Sequence, residues 1–265
     1  MRHFPDVVRI EPAGVCNFKC RHCPIGVEGG HRVILRYEKF VEYFEMLPFV
    51  PRVLVLYHGG EPLLNKYLEA MIEYAKMRGV QKIAFNTNAS LLSNKRDLSQ
   101  VDELRVSFDG DTFEENNSIR VGSDFTKHAE QVRLLALSLH RPKIIKIYNA
   151  RKGTDSVAPY LRDYFADCPN VIFEGIQIRA WARMKNEPLP AREGVTHCTA
   201  LMETFTILSD GSVPMCCEDL QADDIIGNVN QNSPVELWER METRRLAFAR
   251  REYPRLCQSC FVVTG

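Results

Sequence analysis

The sequence predicts an α/β fold, in which a sheet of parallel strands joined by helices is followed by a small cysteine-rich region. Short apolar runs of β-forming residues alternate with amphipathic stretches of helical spacing, which is typical of repeated strand–helix units. About six such units can be distinguished, fewer than the eight that close a barrel. The alternation stops near Pro188, and five of the nine cysteines in the 265 residues come after it.

The strands are predicted from runs of apolar and β-branched residues, each bounded by polar or glycine-containing stretches. They lie at residues 7–11, 53–57, 82–86, 103–108, 144–148 and 171–178. Helical stretches, with apolar residues three and four positions apart, lie at residues 37–46, 66–78 and 125–139. A helix that connects two strands of one sheet leaves them parallel, so we expect helices to cover the sheet.

The region after Pro190 is predicted to form a domain of its own, which divides the chain into residues 1–190 and 191–265. A turn at Ser209-Asp-Gly211 predicts a hairpin made of residues 205–208 and 212–215. A helix is predicted to begin at Ser233, because Ser233 and Glu236 have the spacing of a capping box.

The composition excludes several classes of partner. Lys plus Arg and Asp plus Glu both number 34, so the chain has no net field that would attract nucleic acid or an anionic membrane. No apolar run approaches the roughly 18 residues of a membrane span, and the first residues lack the apolar stretch of a signal peptide. We therefore expect a cytoplasmic protein with no nucleic-acid or membrane partner, whose cysteines bind metal.

The most informative motif is a group of three cysteines, Cys16, Cys20 and Cys23, that directly follows the first predicted strand. Tetrahedral zinc sites and fully ligated four-iron clusters both take four protein ligands. Three thiolates would leave one iron open to a small molecule. A zinc knuckle is the alternative, and its fourth ligand would have to come from elsewhere in the chain.

The run Cys16-Asn-Phe-Lys-Cys20-Arg-His-Cys23 resembles the signature of the radical S-adenosylmethionine (SAM) superfamily, with His22 where an aromatic residue is usual. The resemblance implies a partial six-unit barrel and a 4Fe–4S cluster whose open iron binds SAM. It further implies that one electron, from a flavodoxin- or ferredoxin-type donor, cleaves SAM to a 5′-deoxyadenosyl radical. That radical would abstract hydrogen from an unactivated carbon of the substrate.

Further motifs follow later strands, where ligands of parallel sheets bind. Gly59, Gly60, Glu61 and Pro62 resemble the superfamily's Gly-Gly-Glu-Pro motif, which holds the amino group of SAM, although an ordinary glycine turn would have the same appearance. Four later residues correspond by resemblance to other SAM contacts: Asn88, Ser107, Asp109 and Arg120. A turn-forming role for the Asn and Asp residues, and a solvated role for the arginine, remain open.

The second set of cysteines lies in the C-terminal region. Its order resembles the twitch domain, the short form of the SPASM domain, which holds one auxiliary 4Fe–4S cluster. By that resemblance the ligands are Cys198, Cys216, Cys257 and Cys260, and Cys217 is left over. A four-thiolate zinc site fits the same spacing, and a buried, inert thiol is the alternative for Cys217.

These motifs favour a radical SAM enzyme and leave its reaction open. In the first hypothesis a sugar- or cyclitol-like substrate is oxidised with the auxiliary cluster as electron acceptor, as in 2-deoxy-scyllo-inosamine dehydrogenase. In the second, Cys217 donates hydrogen in a redox-neutral epimerisation, as in the epimerase of neomycin biosynthesis. The third is modification of a ribosomal peptide, made less favourable by the short stretch before the first strand. The non-enzymatic alternative is a zinc-stabilised interaction module.

Overall fold

In this computed structural model the described residues are 3–30, 33–93, 96–177, 194–260 and 263. They contain a parallel seven-stranded sheet, and every predicted strand overlaps one of its members. The strands are β1 (Val7–Ile10), β3 (Val53–Val55), β4 (Lys82–Thr87), β5 (Glu103–Ser107), β7 (Ile144–Arg151), β8 (Val171–Gln177) and β9 (Thr204–Ile207). Their order across the sheet is β8-β7-β5-β4-β3-β1-β9.

Helices connect these strands, and the predicted ones are present with slightly shorter bounds. The helices are α1 (Pro24–Glu28), α2 (Tyr37–Glu45), α3 (Leu68–Met77), α4 (Phe113–Ile119), α5 (Phe125–Ala136), α6 (Pro159–Tyr164), α7 (Thr199–Met202), α8 (Pro234–Arg240) and α9 (Glu242–Ala249). Within the described residues, 3₁₀ turns lie at Pro62–Leu64 and Arg255–Ser259. The predicted capping box begins α8: the Glu236 N–H donates to Ser233 Oγ at 3.3 Å, and the Ser233 N–H donates to Glu236 Oε2 at 2.9 Å.

The predicted hairpin in the C-terminal region is wrong in its pairing. The turn forms, since the Leu208 N–H donates to the Ser212 carbonyl across it at 2.8 Å. However, β9 pairs in parallel with β1, while β10 (Ser212–Pro214) pairs antiparallel with β11 (Ile225–Asn228). All four residues of β9 are buried, which suits a strand covered on both faces of a parallel sheet rather than an arm of a two-stranded hairpin.

The sheet therefore uses chain from both sides of the predicted domain boundary. That boundary, at residue 190, lies outside the described residues, as does Ile178 at the end of the sixth predicted strand. Strand β9 begins at Thr204, beyond the boundary, and forms one edge of the sheet. Strand β8 forms the other edge, so within the described ranges the sheet is open, as the six-unit count predicted, although it has one strand more.

Alternation along the strands separates the core from the site. In β1, Val8 and Ile10 are fully buried in the hydrophobic core, whereas Arg9 between them lines a cavity. Successive side chains of a strand point to opposite faces, so one face of each strand packs under helices and the other faces the inside of the curved sheet. Two short strands, β2 (Lys19–Cys20) and β6 (Arg120–Val121), pair across the mouth of this interior.

No helix in the described part of the chain is both long and apolar enough to cross a membrane.

Candidate active site

A cavity of about 300 Å³ lies at the carboxyl ends of the strands and brings together most of the predicted site residues. The predicted residues that line it are Cys16, Cys20, Cys23, Gly59, Gly60, Glu61, Asn88, Ser107, Asp109, Arg120 and Cys217. Pro62 does not line it, and instead begins the 3₁₀ turn behind the glycines. The remaining predicted metal ligands form a separate group, described below.

The first cysteine loop presents its three sulfurs to this cavity. The Phe18 N–H donates to Cys16 Sγ at 3.4 Å, and Asn88 Nδ2 lies 3.7 Å from the same sulfur. Cys23 is the N-cap of α1, and the nearby backbone N–H groups of Gly26 and Ile25 oppose the increase that burial causes in the pKa of its thiol. N–H donors directed at sulfur stabilise thiolates, and hydrogen bonds to the sulfurs are a normal feature of iron–sulfur sites.

Burial dominates the electrostatics of this loop. It raises the pKa of the Cys20 thiol to about 11, while the guanidinium of Arg120 acts in the opposite direction. The pKa values of Cys16 and Cys23 are raised for the same reason, and the charge of Cys23 further raises the pKa values of Cys16 and Cys20. Three sulfurs close enough to repel one another, with N–H donors around them, fit a metal cluster that binds them as thiolates.

The glycine loop packs against the backbone of the cysteine loop. A Cβ atom at Gly60 would lie 2.1 Å from the Ala13 carbonyl oxygen and 2.4 Å from that of Val15, so a side chain cannot be accommodated there. The next residue, Glu61, donates its N–H to the Val15 carbonyl at 2.7 Å. The loop therefore has a fixed position beside the three cysteines, with its backbone open to the cavity.

The Glu61 carboxylate connects this loop to the end of β4. It accepts hydrogen bonds from Thr87 Oγ1 at 2.8 Å, the Leu63 N–H at 3.0 Å and the Asn88 N–H at 2.7 Å. Burial raises its pKa, and these donors oppose that increase. Asn88 in turn hydrogen-bonds Asn17 of the cysteine loop at 2.9 Å. Three loops predicted to hold the cofactor are thus joined by hydrogen bonds.

On the opposite wall lies a buried ion pair. Arg120 Nη1 lies 3.0 Å from Asp109 Oδ2, and His22 Nε2 lies 3.8 Å from the same oxygen. Burial alone would lower the pKa of Arg120, but Asp109 and Cys20 hold it above its usual value. The sequence predicts a SAM contact for Arg120, with a solvated role as the alternative; in the structure Arg120 is buried and one of its nitrogens pairs with Asp109.

Two buried nitrogens of this wall, Arg120 Nε and His22 Nδ1, have no hydrogen-bond acceptor among the described residues. Buried donors without a partner are costly, so a polar ligand that supplied acceptors here would be stabilised. The carboxylate and ribose oxygens of SAM are acceptors of that kind. The residues of this wall therefore fit the cofactor that the sequence motifs imply.

The four C-terminal cysteines form the second group. Cys198 is the N-cap of α7, where the Leu201 N–H donates to its backbone carbonyl at 3.1 Å, and burial raises the pKa of its thiol. The pKa of Cys257 is raised to about 12, chiefly by burial and in addition by the charges of Cys260 and Cys198. Cys216 is fully enclosed and also feels the charge of Cys257. The four predicted ligands therefore lie within electrostatic reach of one another, as the ligands of one cluster must, although no three His, Cys, Asp or Glu side chains of the described residues surround a position for a single metal ion.

Cys217 links this group to the cavity. It directly follows Cys216, is 8% exposed, and lines the cavity together with Glu218. Burial raises the pKa of Cys217 to about 11, and the nearby guanidinium of Arg9 opposes the increase. The leftover cysteine of the sequence pattern thus lies in the wall that separates the two cysteine groups.

Several lining residues were not predicted. Arg9, Tyr57, Arg105, Tyr148 and Glu218 all border the cavity. The sequence does contain a signal for the two arginines, since each stands between two apolar residues inside a predicted strand. Parallel strands that are buried on both faces are normally apolar throughout, so a charge in the middle of one indicates a polar interior.

Residues 10–146, more than half of the chain, match the model of the Radical SAM superfamily, and the chain therefore belongs to that superfamily. Residues 198–261 match the model of SPASM, an iron–sulfur cluster-binding domain. The predicted fold class and cofactors are thereby confirmed: SAM, a 4Fe–4S cluster and an auxiliary iron–sulfur cluster.

Curated relatives resemble only part of the chain. The GTP 3′,8-cyclase of Clostridium botulinum is 30% identical over 129 residues, which are 46% of this chain and 40% of that protein. The GTP 3′,8-cyclase of Thermodesulfovibrio yellowstonii is 32% identical over 118 residues, which are 42% of this chain and 36% of the relative. The chain thus spans less than half the length of these relatives.

Solved structures resemble nearly the whole chain. BtrN in complex with AdoMet and 2-DOIA has a TM-score of 0.66 at 16% identity, covering 98% of this chain and 94% of BtrN. Native anSMEcpe with bound AdoMet has a TM-score of 0.65 at 17% identity, covering 97% and 87%. SuiB of Streptococcus suis bound to S-adenosylmethionine has a TM-score of 0.60 at 14% identity, covering 98% and 71%. At these identities the likeness concerns the fold.

Proposed function

We propose that this radical SAM enzyme oxidises a hydroxyl-bearing carbon of a polar small molecule, of the sugar or cyclitol type, to a ketone. One observation carries the proposal: the second cysteine group and the cavity share a wall. Cys216 lies in that group, and the next two residues, Cys217 and Glu218, line the cavity. An electron leaving a substrate in the cavity would therefore have a short path to the auxiliary site.

The ligand assignments follow the two groups of sulfurs. Cys16, Cys20 and Cys23 would hold the SAM-binding cluster, and the auxiliary cluster would be held by Cys198, Cys216, Cys257 and Cys260. The proposed SAM contacts are Gly59, Gly60, Glu61, Asn88, Ser107, Asp109 and Arg120, with Pro62 shaping the loop from behind. When bound, these cofactors supply hydrogen-atom abstraction from an unactivated carbon and one-electron transfer. The flavodoxin- or ferredoxin-type electron donor remains part of the proposal.

Polar groups at the inner end of the cavity support a hydroxylated substrate. Arg9 Nε and Asn86 Oδ1 are buried and have no hydrogen-bond partner in the described part of the chain, and both residues line the cavity. Thr206 Oγ1 is also buried without a hydrogen-bond partner among the described residues. Thr206 pairs with Arg9 in the register of β9 and β1, so both side chains lie on the same face of the sheet. A hydroxyl group both donates and accepts hydrogen bonds, so a polyol can satisfy donors and acceptors of this kind together.

The proposed oxidation balances as follows. The substrate carbon would give one hydrogen atom to the radical that SAM supplies, after which the same carbon would give one electron to the auxiliary cluster and its hydroxyl would give one proton to the carboxylate of Glu218. The carbon–oxygen bond then becomes a double bond. Arg9 and Glu218 would orient the reacting hydroxyl, because both line the cavity beside Cys217; burial raises the pKa of Glu218, and the guanidinium of Arg9 opposes that increase. Burial within the curved sheet would exclude water from the reacting carbon.

A second candidate function is redox-neutral epimerisation, and the position of Cys217 favours it. A thiol that lines the cavity could return a hydrogen atom to the opposite face of the substrate carbon. In that case the substrate would lose no electrons overall, and its configuration would be inverted. The two candidates use the same cavity and the same substrate class, so product analysis separates them.

Peptide modification is the remaining alternative, since solved neighbours include SuiB bound to precursor peptide SuiA and anSMEcpe with a Kp18Cys peptide.

The experiment that separates the three alternatives is an anaerobic incubation of the reconstituted enzyme with SAM and reductant in deuterated water. Probes are 2-deoxy-scyllo-inosamine, other aminocyclitols and hexoses, and the peptides encoded beside the gene. A ketone supports the proposal; deuterium at an inverted carbon supports epimerisation; a modified peptide, with the polyols unchanged, refutes both.

A further inference from the structure

We propose that the segment of residues 216–221, here called the bridging segment, couples the auxiliary site to the SAM site and sets the affinity for SAM. Its first residue, Cys216, is a proposed auxiliary ligand, and its later residues hydrogen-bond both loops that surround the SAM site. The inference rests on the proposed ligand assignments and goes beyond the proposed oxidation, because it is independent of the substrate.

The first contact holds the glycine loop. His58, which directly precedes Gly59, is 1% exposed, and its Nε2 lies 3.0 Å from the carbonyl oxygen of Asp219. The position of that carbonyl is fixed in turn, since the Asp219 carboxylate accepts the N–H groups of Asp223 and Asp224, each at 2.9 Å. The bridging segment thus holds the glycine loop from behind the cavity wall.

The second contact holds the first cysteine loop. Gln221 Nε2 donates to the carbonyl of Pro24 at 3.1 Å and to the carbonyl of Gly29 at 2.9 Å. Pro24 is the first residue of α1 and directly follows Cys23, while Gly29 is the C-cap of the same helix. One side-chain amide therefore spans α1 and limits how far Cys23 can move.

Only two residues separate Cys216, the proposed auxiliary ligand, from Asp219, and backbone hydrogen bonds stabilise this part of the bridging segment. The Asp219 N–H donates to the Cys216 carbonyl at 3.2 Å, and the Ala222 N–H donates to the Asp219 carbonyl at the same distance. A shift of Cys216 must then move Asp219 and the bond to His58 with it. Filling the auxiliary site fixes Cys216, so it should also fix the two loops in the geometry that SAM requires.

A third contact joins the same glycine loop to the C-terminal region. Glu11 is 1% exposed, and its carboxylate accepts the Gly59 N–H at 3.3 Å, the Ser209 N–H at 3.1 Å and the Ser209 hydroxyl at 2.9 Å. This bond lies outside the bridging segment. Because Gln221 contacts α1 and not the glycine loop, both this bond and the His58 bond should hold the glycine loop when Gln221 is changed, which makes Gln221 a suitable test position.

The test is a double-mutant cycle on SAM affinity, measured by equilibrium dialysis with the anaerobically reconstituted protein. One variant is Gln221→Leu, which keeps the size of the side chain and removes its donors. The other is Cys257→Ala/Cys260→Ala, which removes two auxiliary ligands outside the bridging segment. The matched control is Gln231→Leu, an exposed glutamine of the same region. The electron paramagnetic resonance signal of the reduced SAM-binding cluster, with and without SAM, is recorded for each variant.

We expect Gln221→Leu to weaken SAM binding roughly tenfold, within the usual range of coupling between sites, and Gln231→Leu to leave it unchanged. Loss of the auxiliary ligands should weaken binding in the wild-type background but cause little further loss when Gln221 is leucine. Unchanged SAM affinity in Gln221→Leu, or two effects that simply add, would overturn the inference. If Gln221→Leu loses its four SAM-site irons, the same cycle is run with His58→Phe. Failure of the enzyme to form a ketone would bear on the proposed function alone.

Discussion

At the scale of single residues, Cys217 decides between the two candidate reactions. Its thiol lines the cavity, yet the preceding residue, Cys216, belongs to the auxiliary group. If the enzyme oxidises its substrate, Cys217→Ala should keep ketone formation within a few-fold of wild type, because no hydrogen atom has to be returned. The measurement is ketone formed per 5′-deoxyadenosine, with iron content determined on the same sample.

The matched control for this prediction is Cys216→Ala. It removes a proposed ligand one position away, and we expect it to lose the auxiliary cluster and ketone formation together. A Cys217→Ala protein that keeps all its iron and cleaves SAM, but yields no altered product, would contradict the oxidation and favour epimerisation.

Arg9 is the second residue on which the proposed binding of a hydroxylated substrate depends. It is the charged side chain on the inward face of β1, and its buried Nε has no acceptor within the described ranges. We expect Arg9→Met to raise the KM for the substrate by roughly 10- to 100-fold, as for loss of a charged hydrogen bond, while SAM affinity stays unchanged. Steady-state kinetics and equilibrium SAM binding test this.

Two further variants sharpen the test of Arg9. Arg9→Lys keeps the charge and should recover part of the affinity. Arg36→Met removes an arginine whose side chain is 78% exposed, and it should change neither constant. An unchanged KM in Arg9→Met would show that the substrate does not reach the inner end of the cavity.

At the scale of elements, the glycine loop shows why SAM motifs are recognisable in sequence. Gly60 is required because backbone oxygens of the cysteine loop occupy the space of a side chain. We expect Gly60→Ala to displace the loop and weaken SAM binding at least 100-fold, measured by equilibrium dialysis, because the methyl group would contact two carbonyl oxygens. Gly153→Ala is the control for backbone strain without a clash, because Gly153 has a φ of +73° but open space around its added methyl group, and it should leave SAM affinity unchanged. Wild-type SAM affinity in Gly60→Ala would mean that the cofactor binds elsewhere.

The same scale shows which elements were predictable. Strands β1, β3, β4, β5, β7 and β8 follow from local apolar runs, and the capping box at Ser233 follows from spacing alone. Strand β9 was assigned the wrong partner, because the local turn at Ser209 favours a hairpin whereas the observed partner, β1, is about 200 residues away. A contact so distant in sequence leaves no local pattern. The polar interior was missed for a related reason, since Arg9 and Arg105 meet the cavity only after the sheet curves.

At the scale of the whole molecule, two groups of cysteines predict two iron–sulfur clusters. We expect about eight irons and eight sulfides per chain after anaerobic reconstitution, and about four of each in Cys257→Ala/Cys260→Ala. Cys168→Ala is the control, because Cys168 lies buried in the hydrophobic core and outside both groups. Four irons together with one zinc in the wild-type protein would contradict an auxiliary iron–sulfur cluster at these cysteines.

The cavity is lined both by contiguous sequence motifs and by single residues from separate strands. In the proposed arrangement the strands' carboxyl ends and the cysteine loop would surround SAM, whereas Arg9 of β1 and residues 217–218, which also line the cavity, would face the substrate. The motifs of the SAM side were predictable, because each is contiguous in sequence. The substrate side draws single residues from distant strands, so its members could be identified only from the folded chain.

The central claim, oxidation of a hydroxyl-bearing carbon, is tested most directly with a polyol that carries deuterium on that carbon. The enzyme, SAM and reductant are incubated anaerobically, and the products are analysed by mass spectrometry. If the enzyme oxidises that carbon, we expect ketone and deuterated 5′-deoxyadenosine in equal amounts. Deuterated 5′-deoxyadenosine together with a polyol of inverted configuration that has gained hydrogen at the same carbon, and without ketone, would contradict it.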